Sequence, residues 1–166
     1  MKKLFLTLAL LLLPLNVFAH QKGDWQIGIG TNTGFVRIDS GGQAASVFVL
    51  DLSLERMITD WLQVGVSTNL AFADEVDFEA LAGVFKLRLP VDSRISPYFL
   101  AAPGFVNGNN DFTGASETAF QITTGVGIDV GLVEHVALTV EALYSNAFLD
   151  QGVEIFTVRP RLSFFF

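Results

Sequence analysis

The chain has 166 residues, of which 51% are hydrophobic and 16% charged, with 17 acidic against 10 basic side chains and a net charge of −7. This length fits one domain, and the acidic balance excludes a nucleic-acid binder, which needs basic patches. There is no cysteine, which excludes disulfide staples, thiolate metal sites and a cysteine nucleophile.

The chain opens with Lys2 and Lys3, then the apolar run Leu4 to Leu13, then Val17-Phe18-Ala19. A basic start, a short greasy stretch and a small-x-small site predict a secretory signal peptide cut after Ala19, so that the mature domain spans 20–166. Losing Lys2 and Lys3 takes the charge from −7 to −9. Mean hydropathy is +0.48, and charged residues fall well below the roughly 25% usual for soluble domains. Yet no run of 18 apolar residues follows Ala19, so no membrane helix is expected there. An exported, apolar-rich chain without such a helix points to a closed β-barrel, because only helices and closed barrels satisfy every backbone polar group in lipid.

Period-two alternation predicts the strands in turn. Strand 24–36 sets Trp25, Ile27 and Ile29 against Gln26, Gly28 and Gly30, and strand 45–57 sets Phe48, Leu50, Leu52 and Leu54 against Asp51, Ser53 and Glu55. Strand 61–72 alternates Leu62, Val64 and Val66 with Gln63, Gly65 and Ser67. Strand 78–89 alternates Leu81, Phe85 and Leu87 with Ala82, Val84, Lys86 and Arg88. Segment 95–106 reads as a weaker strand, since Pro97 and Pro103 each lack a backbone donor. The clearest case is 117–131, where Phe120, Ile122, Val126, Ile128 and Val130 face away from Gln121, Thr123, Gly125, Gly127 and Asp129. Strands 135–146 and 153–166 complete a set of eight. The fold class expected is all-β, a closed antiparallel up-and-down transmembrane barrel.

Connections 58–60, 90–94 and 132–134 are short, whereas 37–44, 73–77, 107–116 and 147–152 are mostly longer and richer in Gly, Asn, Asp and Ser. Outer-membrane barrels keep short turns on the periplasmic side, so both termini are expected in the periplasm.

With the greasy rows in lipid, the alternate rows face the lumen. They carry four acids, Asp51, Glu55, Asp129 and Glu141, and four bases, Lys86, Arg88, Arg159 and Arg161. Unpaired charge is costly in a dry interior, so balanced signs predict ion pairs, with Arg159 or Arg161 meeting Glu141. The interior of eight strands is just wide enough for side chains to fill it, so a plugged lumen is expected rather than an open channel. Trp25, Trp61, Tyr98 and Tyr144 fall near strand ends, where an aromatic belt would sit at headgroup level.

The chain ends Leu162-Ser163-Phe164-Phe165-Phe166. A terminal Phe166 with apolar Leu162 and Phe164 at alternate positions resembles the signal read by the outer-membrane barrel assembly machinery. With the leader and the strand count, residues 24–166 resemble the small eight-stranded outer-membrane barrels, the OmpA transmembrane domain and OmpX-like proteins. The resemblance implies a Gram-negative outer membrane, contact with its lipid and lipopolysaccharide, insertion by the assembly machinery and a monomer. It implies a structural or surface-interaction role, with a narrow pore or transporter as the alternative. A lipid A-modifying enzyme is disfavoured, because the deacylase-type His-x-Ser arrangement is missing: Ala137 stands two residues after His135. His20 is read as a terminal residue without a metal role. The acidic set Asp39, Asp74, Glu75, Asp77, Asp111, Glu117 and Asp150 is read as solvated outer loops. No cofactor and no metal site are expected.

Overall fold

The computed structural model describes residues 22–38, 44–72, 76–89, 91, 94–110, 115–148 and 153–166. The leader with Ala19, His20 and most of the acidic loop residues lie outside the described residues. Eight strands form: β1 (Trp25–Ile38), β2 (Ala44–Met57), β3 (Leu62–Phe72), β4 (Val76–Arg88), β5 (Ile95–Asn110), β6 (Ala115–Val133), β7 (Val136–Ala147) and β8 (Val153–Phe165). Each pairs antiparallel with its sequence neighbour, and β8 pairs with β1 to close the barrel. The seam is completed where Trp25 and Phe166 exchange backbone hydrogen bonds, 2.8 and 3.0 Å long.

The alternation has the sense expected of a membrane barrel. Leu81 is 63% exposed and Phe105 60%, whereas Glu55, Lys86 and Glu141 inside the same wall are fully buried. A wall that is greasy outside and ionic inside suits hydrocarbon, and closing the sheet leaves no backbone edge unsatisfied.

Proline governs where the ladder weakens. The β4–β5 ladder is interrupted between Ala82↔Gly104 and Phe85↔Ala101, at Pro103, and the β1–β8 ladder between Gly30↔Arg161 and Thr33↔Val158, at Pro160, with the register unchanged across each gap. Each break is local, because a missing N–H removes one bond and not the strand. β5, expected to be the weak strand, instead runs 16 residues.

The connections differ from expectation in a second way. Much of the loop 107–116 is strand, with Asn107↔Thr118 and Gly108↔Glu117 continuing the β5–β6 ladder, and the loop 37–44 shrinks likewise. The β6–β7 turn falls on Glu134 and His135, one residue later than predicted, beside a bulge at Gly131/Val133. The asymmetry between the two ends therefore lies less in loop length than in polar strand extending past the greasy band. At the opposite end Thr59 caps the β2–β3 turn, its Oγ1 accepting from the backbone N–H of Leu62 at 2.9 Å.

Glycine is required where strands or lumen side chains approach closely. A Cβ on Gly65 would lie 2.3 Å from the Leu54 carbonyl oxygen, and one on Gly127 would lie 2.4 Å from the Tyr98 ring. The bare face of Gly127 is thus the platform that lets Tyr98 lie inside the barrel.

Candidate functional site

All eight predicted lumen charges, Asp51, Glu55, Lys86, Arg88, Asp129, Glu141, Arg159 and Arg161, are buried inside the barrel. Strand alternation alone turns them inward, and the register then sorts them into two layers.

The lower layer, next to the short turns, is a ring of hydrogen bonds that draws on seven strands. Arg88 pairs with Asp129 at 2.7 Å and donates to Gln63 at 2.7 Å and Ser96 at 3.2 Å. Gln63 donates to Gln26, and Gln26 to Ser163 at 2.7 Å. Thr139 donates to Asp129 at 2.5 Å and lies 2.7 Å from the Ser163 hydroxyl. Met57, Ala137 and Phe165 are buried at the same end. Phe165 thus turns inward, while Leu162, Phe164 and Phe166 are exposed on the outer face.

The upper layer is built around Glu141. Its Oε2 accepts from Arg159 Nε at 2.8 Å and Nη2 at 2.5 Å. Its Oε1 accepts from the Tyr98 hydroxyl at 2.5 Å and Arg161 Nη2 at 3.3 Å, with Lys86 Nζ 3.4 Å away. Arg159 also pairs with Asp51 at 2.5 Å, and Arg161 with Asp51 at 3.5 Å and Glu55 at 3.2 Å. Lys86 reaches Glu55 at 2.8 Å. Arg159 and Arg161 thus both meet Glu141, so that carboxylate is shared rather than paired. Arg161 has room because it lies over Gly28, where a Cβ would come within 2.8 Å of its Cδ and Nε.

Tyr98 corrects the belt expectation: it is 2% exposed and stands in the lumen. Lys86 Nζ lies 4.8 Å and the Arg88 guanidinium 5.1 Å from its ring centre, so the ring bridges the two layers through its π face. The other three belt residues, Trp25, Trp61 and Tyr144, are exposed. Arg56 stacks over Trp25 at 5.3 Å, and Tyr144 donates to Glu154 at 2.8 Å. Phe105, Phe120 and Phe148 form a further outward cluster with centroids 5.7 and 6.1 Å apart. Strand parity could have found Tyr98: it shares a face with Ser96, Leu100 and Ala102, all inward.

The ionic plug fills only part of the lumen. Above it, on the side away from the short turns, is a cavity of about 100 Å³ with Glu55, Arg159 and Arg161 at its floor. Its lining includes Ala80, Ala82, Val84, Leu100, Ala102 and Val106. The expectation of polar and charged filling throughout therefore fails in this half, because Ala, Val and Leu side chains take inward positions on β4 and β5.

A closed eight-stranded wall, apolar outside and ion-paired inside, defines a small outer-membrane β-barrel. The chain belongs to the outer membrane protein beta-barrel domain family, whose profile matches residues 5–159. No curated protein matches the sequence. Among solved structures, Neisserial surface protein A superposes with a TM-score of 0.75 at 14% identity, covering 86% of this chain and 99% of that one. Ail, the attachment invasion locus protein of Yersinia pestis, gives 0.62 at 17% identity over 88% of this chain and 100% of that one. The outer membrane enzyme PagL gives 0.53 at 15% identity over 83% of this chain and 97% of that one. At these identities the likeness is one of fold.

Proposed function

We propose that this protein is a non-conducting barrel of the outer membrane with a structural or surface-interaction role. The observation that carries this reading is the pair of stacked polar layers across the lumen. Asp51, Glu55, Asp129, Glu141 and Lys86 are each 0% exposed, and four acids balance four bases. An ion entering the lumen would have to break pairs already made in a dry interior, at several kcal/mol for each charge left alone. In planar bilayers, the purified protein is expected to give no steady single-channel current across the usual voltage range. Regular conductance steps that survive repeated purification would instead support the pore reading.

The same reading puts the leader on the export route with cleavage after Ala19, and both termini and the short turns in the periplasm. The polar extensions of β5 and β6 then stand outside the cell. Its partners are outer-membrane lipid and lipopolysaccharide around the wall, and the barrel assembly machinery reading Leu162, Phe164 and Phe166 on the closing strand. The barrel acts as a monomer. The role is not enzymatic: His135 is exposed at the β6–β7 turn, with buried Ala137 two residues on.

A further inference from the structure

The half-lumen above the ionic plug has the walls of a ligand site. One side, from β4 and β5, is formed by Ala80, Ala82, Val84, Leu100, Ala102 and Val106. The other carries hydrogen-bonding groups, among them Gln121, Thr123 and Ser145. Thr123 and Ser145 satisfy one another at 2.7 Å. Gln121 does not share in this: it is 5% exposed, lines the cavity, and its amide has no hydrogen-bond partner among the described residues. An ordered water needs two to four polar partners, and these lie on one side of the space only, since the β4–β5 wall offers none.

We infer that this chamber binds one small uncharged amphiphile: a short unbranched hydrocarbon body ending in a hydroxyl, such as a short-chain alcohol. Three features set the class. The floor excludes a formal charge, because Arg159 and Arg161 are already matched by Asp51, Glu55 and Glu141, and an added ion would be left unpaired. The shape favours a chain. The lining runs from Ala80 to Val84 along β4, roughly 10 Å along the axis at ordinary strand rise and barrel tilt, while the volume is only about 100 Å³. The amide of Gln121 supplies both a donor and an acceptor for one hydroxyl, and the alkyl body lies along the alanine and valine wall.

The test uses the mature chain in lipid nanodiscs, with 1-hexanol as probe and leucine and valine methyl groups followed by NMR. Inward methyls of Val84, Leu100 and Leu143 are expected to shift saturably with hexanol. Outward methyls of Leu81 and Val126 should move only in proportion to hexanol dissolved in the bilayer. Hexanoate at neutral pH should bind at least about tenfold more weakly than hexanol. Ala102→Phe, which fills the chamber, should abolish the saturable shift. Gln121→Leu removes only the hydrogen-bonding end and should weaken hexanol about three- to tenfold, the size of one hydrogen bond; this arm decides the matter if Ala102→Phe does not fold. No saturable shift at the inward methyls, equal binding of hexanoate, or unchanged affinity in Gln121→Leu would each overturn the assignment.

Discussion

Replacing Glu141 with leucine is expected to lower the free energy of unfolding by about 3–5 kcal/mol, the cost of leaving a buried charge without its partner. Glu141 receives Arg159 twice, Arg161 and Tyr98, and stands near Lys86. Its loss leaves three carboxylates against four cations in a volume that excludes water. The double variant Glu141→Leu with Arg159→Leu restores three against three and is expected to recover a large share of that loss, even though two more polar groups are gone. Urea unfolding of the barrel refolded into vesicles, followed by the fluorescence of Trp25 and Trp61, measures both. A loss below about 1 kcal/mol for the single variant is what a solvated surface pair would give, and it would mean that water reaches the carboxylate.

The second large effect is on the outer face. Val126 is exposed near the middle of the greasy band, between Phe120 toward one end of β6 and Leu132 toward the other. Val126→Arg is expected to cost about 2–4 kcal/mol, as for a cation at the bilayer midplane. Thr118→Arg, on the same outward row of β6 but beyond Phe120, is expected to cost about 0–1 kcal/mol, as near the interface. The same unfolding measurement gives both values. Equal costs at the two positions would show that no depth-dependent apolar medium surrounds the strand.

The eight strands and the inward set were legible because a strand crossing lipid must alternate strictly, and no helix tolerates Phe120, Ile122, Val126 and Ile128 on one side with Gln121, Thr123 and Asp129 on the other. The strand ends past the lipid were not. Beyond the greasy band Asn107, Gly108, Glu117 and Thr118 continue the β5–β6 ladder, and polar residues in a ladder read the same as polar residues in a loop.

The partners within the lumen were legible only as a balance of signs. Which arginine meets which carboxylate depends on the stagger of the closed sheet, which brings Arg159 of β8 to Asp51 of β2 across β1. Sequence spacing carries no record of that stagger. Tyr98 lies near the start of β5, where a belt residue would sit, but its parity with Ser96 and Leu100 turns it inward. The chamber leaves no mark in the sequence for a different reason. Parity puts Ala82 and Val84 on the inward row, but small apolar side chains there do not show that they leave space unfilled, and only the structure shows the cavity that they line with Ala80 and Ala102.

The most direct measurement uses the lack of native cysteine. Spin labels placed singly at 118–130 along β6, in the barrel reconstituted in bilayers, report collision with oxygen, which concentrates in hydrocarbon, and with a water-soluble nickel chelate. Oxygen accessibility should peak at Phe120, Ile122, Val126 and Ile128 and fall at Gln121, Thr123 and Asp129, a period of two with low nickel accessibility on both rows between Phe120 and Ile128. A reversed phase, with the Phe and Ile row shielded from both reagents and the Gln, Thr and Asp row open to the nickel chelate, would put the greasy face in a protein interior and contradict the membrane barrel.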